Sequence, residues 1–301
     1  MHIIKINDDE YRLPENWNEL TMDQLLYLSR LTKQPDLPVQ KLTIYMVLYC
    51  LGAHIADDSR VFGRKIKMKL GKESHTVRMA IGQKHYDLDP PMYVQLSSLM
   101  DFLIERTETK ESAYSRQTNP YIAPVYEYRL RPELTVCPCK KVRASWYTLR
   151  HEGDPSLMDI TFEQYMYLQT FISGLASGQA TIDDVLVCVW HRSKQFSLSH
   201  HERDAKLMEQ VDDDKKTVMM WFISSCLSDF ANQFPRLFSG EGSHAGGNVL
   251  DSQLRMLDLL ADHDVTKKDQ IRASALFDVF YSLDEMMREK ENLEENMKKN
   301  A

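Results

Sequence analysis

Two stretches of the chain, 140 residues apart, distribute apolar and polar positions in the same order. The first runs Glu19-Leu20-Thr21-Met22-Asp23-Gln24-Leu25-Leu26-Tyr27-Leu28, the second Asp159-Ile160-Thr161-Phe162-Glu163-Gln164-Tyr165-Met166-Tyr167-Leu168. Thr, Gln, Tyr and Leu coincide, and most other positions keep their chemical class. Each stretch predicts a helix N-terminus. The Thr hydroxyl accepts from the backbone N–H three residues on, and the Gln side chain reaches back to the Thr N–H, a capping box. Leu20 with Leu25, and Ile160 with Tyr165, have the spacing of a hydrophobic staple. Each predicted helix is followed by a short polar connection and an apolar run ending in an aromatic, Leu42 to Tyr49 and Val185 to Trp190. A duplicated interaction unit explains the repeat; the rival explanation is that capping boxes recur in any helical protein.

The remaining pattern fills in around this repeat. Ile3-Ile4-Lys5-Ile6 and Tyr11-Arg12-Leu13 predict a small hairpin, followed by helices over 22–32 and 39–51. Lys65 to Leu70 and Thr76 to Ile81 alternate with period two and predict a strand pair joined by Gly71-Lys72-Glu73-Ser74. Asp89-Pro90-Pro91 opens a helix expected to reach Arg106, with Asp as cap and Pro in its first turn. The segment 126–150 reads as extended. Ser199-His200-His201-Glu202 reads as a further capping box, before a core helix over 215–233. The last helices are expected over 250–262 and 267–297. Ile271, Leu276, Val279, Phe280, Leu283 and Met287 form one stripe there, and the charged end from Arg288 on is expected to fray. The fold class is therefore α+β and mainly α-helical: two duplicated helical units with small basic β-hairpins, and a C-terminal helical tail. The expected boundaries are 1–107 for the first unit, 108–128 for a polar linker, 129–238 for the second unit, 239–249 for a Gly-rich linker and 250–301 for the tail.

Composition narrows the class. With 301 residues and 43% hydrophobic content the chain can bury one large core or two smaller ones. A net charge of -7 argues against a protein that coats nucleic acid nonspecifically. Five cysteines, three of them within apolar helical runs, do not form a disulfide framework. The N-terminus lacks the basic start and apolar core of a signal peptide, and no run is long enough to span a membrane. A soluble, reducing, intracellular setting is the expectation.

Candidate chemistry is sparse. Cys137-Pro138-Cys139 is a close pair, but a zinc site needs two more ligands at suitable spacing, and neither a metal nor a cofactor is expected. His200 and His201 point about 100° apart on a helix, so they cannot share one ligand face; they are expected to be exposed or capping. Residues 240–247 lack the Lys and hydroxyl ending of a phosphate loop. Catalytic chemistry is not expected. One feature departs from this blandness: the extended segments are basic. Lys65, Lys67, Lys69 and Arg78 mark the first, and Lys140, Lys141 and Arg143 the second. Such a surface suits an acidic protein partner or a phosphate backbone, or simply solvates a strand face whose charges blunt edge pairing.

The run from Leu13 through Leu28 resembles the opening of proteins encoded by phages and prophages of gut Bacteroidales, with the pattern Leu-Pro-x-x-Trp-x-Glu-Leu-Thr-x-x-Gln-Leu. Ile160-Thr161-Phe162-Glu163-Gln164-Tyr165 is similar to another opening found in phage morphogenesis proteins. Members of this loose group are short helical proteins, some of which resemble tail assembly chaperones. The resemblance implies a non-enzymatic factor of the host bacterial cytoplasm. Its expected partners are phage structural proteins, a tail tube or tape-measure subunit first. Tyr27, Leu28, Tyr167, Leu168, Phe280 and Met287 are the expected partner-binding residues; the alternative is core packing, the better reading for Leu28 and Leu168. A head–tail connector of the virion, or a nucleic-acid-binding module using the basic segments, are the alternatives.

Overall fold

A computed structural model describes residues 1–6, 8–34, 37, 39–55, 77–104, 157, 160–191, 196–238 and 249–299. The protein is a mainly helical α+β fold that divides into two compact units, Met1–Tyr128 and Arg129–Ala301.

In the first unit, β1 (His2–Ile6) and β2 (Asp9–Leu13) pair antiparallel with Ile4 opposite Tyr11, as the alternation predicts. A single 3-10 turn, Trp17–Glu19, leads to α1 (Met22–Thr32). The capping box is present: Thr21 N–H donates to Gln24 Oε1 at 2.8 Å and Gln24 N–H to Thr21 Oγ1 at 3.3 Å. Leu25, Leu28 and Leu31 recur at helical spacing and are buried. Against them lies α2 (Val39–Leu51), whose Leu42, Ile44, Met46 and Val47 point several ways and are all buried; this helix touches α1, β2 and both the strand over 53–55 and the helix over 90–98. Trp17 is buried and donates its indole N–H to Phe102 O at 3.2 Å, giving its one polar atom a partner.

Three strands follow: β3 (Ala53–Ile55), β4 (Val77–Ile81) and β5 (Lys84–Leu88), in the order β3-β4-β5. Here the strand pairing differs from the expectation. The partners of Val77–Ile81 are Lys84–Leu88 and Ala53–Ile55, so both edges of the strand are occupied at Met79, Ala80 and Ile81. Residues 65–70, the expected partner, lie outside the described residues. The connection that decides the pairing is the two-residue turn Gly82-Gln83, where Gly82 takes φ +59. Helix α3 (Pro90–Ser98) starts as predicted, with Asp89 accepting from Met92 N–H at 2.8 Å. It ends at Ser98, short of Arg106, and a 3-10 turn over Asp101–Leu103 buries Leu103.

The second unit starts on the duplicate. In α4 (Phe162–Ser177) Thr161 N–H donates to Gln164 Oε1 at 3.0 Å and Gln164 N–H to Thr161 Oγ1 at 3.2 Å. The helix stops at Gly178, whose φ of +71 favours the residue without a Cβ. A third capping box, Thr181 with Asp184, opens α5 (Ile182–Val187), which delivers Val185 to Trp190 into the core. The two units thus share the capped helix and an apolar successor, but the successor has thirteen residues in the first and six in the second.

Helix α6 (Leu198–Met208) begins two residues earlier than the expected box would start it: Ser197, not Ser199, holds the cap position, and Glu202 pairs with Lys206 instead of reaching back. Helix α7 (Asp213–Gln233) is capped by Asp212 and buries Val218, Trp221, Phe222, Cys226 and Phe230. Helices α8 (Pro235–Phe238), α9 (Val249–Leu260), α10 (Lys268–Ala273) and α11 (Leu276–Lys299) complete the unit. The C-terminal helical tail folds back onto the second unit, since α9, α10 and α11 all contact α4. The single helix expected over 267–297 is broken at Ser274-Ala275. There Phe162 N–H donates to Ser274 O at 3.0 Å and Leu276 N–H to Ile160 O at 2.8 Å, a two-bond bridge between the starts of α4 and α11. Beyond Arg288 the chain continues as helix to Lys299, supported by the pairs Lys290–Glu294 and Lys299–Glu295.

Candidate functional site

The repeated helix places one residue type at the same rim in both units. Tyr27 precedes the buried Leu28 and lies about 100° round α1 from it. It is half-buried, and its ring stacks on Tyr49 of α2 with centroids 4.0 Å apart and planes 8° from parallel. Tyr45, one turn earlier on α2, is also half-buried. Burial, then the Tyr45 and Tyr49 phenols, hold the Tyr27 hydroxyl above its ordinary pKa. Tyr49 is 39% exposed, so the three rings reach the surface as one group.

Tyr167 repeats this position before Leu168. It lies 6.4 Å from Phe171, one turn on, and 5.7 Å from Phe196. Phe171 in turn stacks on His201 at 4.5 Å. His201 is buried, not exposed or capping, because its Nε2 donates to Asp184 O at 3.0 Å and its other ring nitrogen lies 3.7 Å from the Asp184 carboxylate. The imidazole is thereby a rigid floor for Phe171, with Tyr167, Phe171 and Phe196 half-exposed above it.

Of the partner-binding residues named from sequence, Leu28, Leu168 and Phe280 are core. They are 2%, 0% and 1% exposed, so none can meet a partner while the fold is intact. Phe280 is the hub of an aromatic core, with the rings of Tyr165, Phe230, Phe234 and Phe238 all within 6 Å. Tyr27 and Tyr167 stay at the surface rim, and Met287 is half-buried on α11. Sequence reasoning missed Tyr45, Tyr49, Phe171 and Phe196; the four-residue spacings 45/49 and 167/171 were the available signal.

The basic surface changes too. Arg78 is exposed on β4, but its guanidinium donates to Asp87 on β5 at 2.9 Å in a directly facing pair, which neutralises its charge. Lys65, Lys67, Lys69, Lys140, Lys141 and Arg143 lie outside the described residues, as do Cys137 and Cys139.

The titratable clusters have identifiable structural work. Asp9 on β2 accepts from Tyr86 at 2.8 Å and pairs with Lys84, and Tyr11 meets Tyr86 at 2.7 Å, which ties the first hairpin to the second. The Lys84 ammonium and the Tyr86 hydroxyl hold the Asp9 carboxyl below its ordinary value, and Lys84 and Tyr86 are both raised. Each group is thus fixed in its neutral-pH charge state, the opposite of a poised acid or base. Asp258 is likewise held low by Lys268 and His263. Burial pushes the Cys50 thiol up to about 12 and raises Cys188 strongly, which suppresses their thiolates. A cleft of 460 Å³ between α9 and α10, lined by Asp251, Leu254, Arg255, Asp258, Lys268 and Arg272, mixes both signs of charge.

Among the described residues no group of three or more His, Cys, Asp or Glu is placed to hold a metal ion, and no helix is long and apolar enough to cross a membrane. Compared with protein-family models, curated proteins and solved structures, the chain finds no match in any of the three.

Proposed function

We propose that the protein is a non-enzymatic protein-binding factor of phage morphogenesis, of the tail assembly chaperone kind, acting in the host bacterial cytoplasm. One observation carries this reading: the same tyrosine of the duplicated helix sits half-exposed in an aromatic cluster in each unit. Aromatic rings that are apolar in body and polar at the tip, held rigid by stacking, supply contact area at low entropic cost and dominate protein interfaces. Two such faces on one chain suit the transient covering of apolar or strand-edge surface on an unassembled tail subunit.

The test is binding of tail tube and tape-measure subunits from the same phage to the purified chain. Tyr27→Ala with Tyr49→Ala, and Tyr167→Ala with Phe171→Ala, are each expected to weaken binding at least tenfold while circular dichroism stays unchanged. Intact binding by both folded variants would refute the assignment of these faces. The same chain found at fixed copy number in mature particles would replace the chaperone reading with a structural one.

A further inference from the structure

Helix α11 carries a second pattern, independent of the aromatic faces. Leu276, Val279, Leu283, Met286, Lys290, Leu293 and Met297 recur at alternating steps of three and four, the a and d positions of consecutive heptads. The first three are buried in the second unit's own core. The same seam then runs on, in register, beyond the core: Met286 is 39%, Leu293 63% and Met297 64% exposed. The outer part is tethered from one side. Arg236 on α8 pairs with Asp284 at 3.2 Å and with Glu291 at 3.1 Å, two positions one heptad apart. Those acids lie about 130° round the helix from the centre of the a/d seam, so α8 supports the helix without covering it.

We infer that this seam pairs with the same seam of a second copy, antiparallel. An a/d repeat fits a helix carrying the same repeat, which a second α11 supplies, and charge sets the direction. In a parallel pair Lys290 would face Lys290 in the middle of the interface, and Glu289 would face Glu294 on both flanks. Reversing one helix removes both conflicts. With Met297 opposite Met286 of the second copy, Lys290 falls opposite Leu293, Glu289 opposite Asn296 and Glu294 opposite Met287. The Lys290 stem then covers apolar surface while its ammonium, 4.0 Å from Glu294 in its own helix, stays at the edge. Residues 284–299 form about 24 Å of helix, enough for four such layers. The antiparallel arrangement carries the two second units to opposite ends of the pair. The interface is short, so the dimer is expected to form with rising protein concentration.

The experiment is sedimentation of the full-length protein from low micromolar to several hundred micromolar, with Leu293→Asp and Met297→Asp combined as the variant. The parent is expected to shift from monomer to dimer across this range. The variant is expected to remain monomeric with an unchanged urea midpoint, because both side chains are exposed in the monomer. Lys290→Leu is expected to lower the dimer dissociation constant about tenfold. Direction is read by mixing Met286→Cys and Met297→Cys chains under oxidation: disulfides joining 286 to 297 support the antiparallel pair. A parent that stays monomeric throughout, a dimer indifferent to the aspartates, or disulfides that join 286 to 286 would each overturn the inference.

Discussion

The duplicated capping box gives a comparison of one residue in two surroundings. Gln24 is partly exposed, and its side chain makes the single bond back to Thr21 N–H. Gln164 is 4% exposed and does more: its Oε1 accepts from Thr161, while its Nε2 donates to Cys188 O at 3.1 Å, buried 24 residues away. Gln24→Ala removes a surface cap and should cost about 0.5–1 kcal/mol. Gln164→Ala removes the same cap, withdraws the donor from a buried carbonyl at about 1–3 kcal/mol, and leaves a small void. A total of about 2–4 kcal/mol follows, so the difference between the two sites should be about 2 kcal/mol, or about 30-fold in an opening constant. Native-state hydrogen exchange on the peptides of α1 and α4 reads the two sites separately, without treating the two-unit chain as one transition. Gln164→Glu sharpens the test. It keeps the acceptor for Thr161 but sets a carboxylate against the Cys188 carbonyl, so its cost should match or exceed that of Ala at neutral pH and shrink in acid, where a protonated carboxyl can donate. If Gln164→Ala weakens α4 no more than Gln24→Ala weakens α1, the buried amide bond carries no net stability and the reasoning fails.

Two neighbours on α11 should differ as sharply. Phe280→Ala, at the centre of the aromatic core, is expected to cost about 3–5 kcal/mol, whereas Tyr281→Ala, 54% exposed, should stay within about 0.5 kcal/mol in urea titrations. The junction of the two hairpins should be pH-sensitive at both ends. Asp9 is held low, so its contribution is present above the ordinary aspartate value and is lost as pH falls through the lower folded one. Lys84 and Tyr86 are raised, so theirs are full below their ordinary values near 10 and vanish as pH rises through the folded ones. Thermal melts should therefore show Tyr86→Phe losing stability to the parent by a constant amount from about pH 5 to 9, with the gap narrowing above about pH 10; a gap independent of alkaline pH would contradict the assignment.

What the sequence revealed were features decided within a few residues. Thr21 with Gln24, Thr161 with Gln164, Asp89 with Pro90, and the hairpin around Asp9 need only local spacing, and all form as read. Pairing was harder. Residues 65–70 and 77–81 alternate as well as 77–81 and 84–88 do, and periodicity does not choose between partners; the two-residue Gly82-Gln83 turn did. The break at Ser274 has no Pro or Gly to announce it, because it is produced by hydrogen bonds to Ile160 and Phe162 from far along the chain. An apolar stripe also does not say what covers it. Leu28 and Leu168 already read more readily as core than as a partner's contact, which their burial bears out, whereas for Phe280 only the packed structure assigns it to the interior. Tyr27 and Tyr167 were legible as positions, but of the rings around them only Phe171 shares the helix; Tyr45 and Tyr49 come from α2 and Phe196 from the residues before α6.

The bridge between Thr161 and Ala275 also orders events in time. During synthesis α4 emerges with its cap formed, yet the amide of Phe162 has no partner until Ser274 has left the ribosome. Tyr165 is without the Phe280 ring it packs on through the same interval, since α11 follows α9 and α10 in the chain. Closing so distant a contact is slow and leaves a sticky surface open meanwhile. The second unit therefore matures only once Ser274 and the helix after it have been made, while the first unit is free to fold ahead of it.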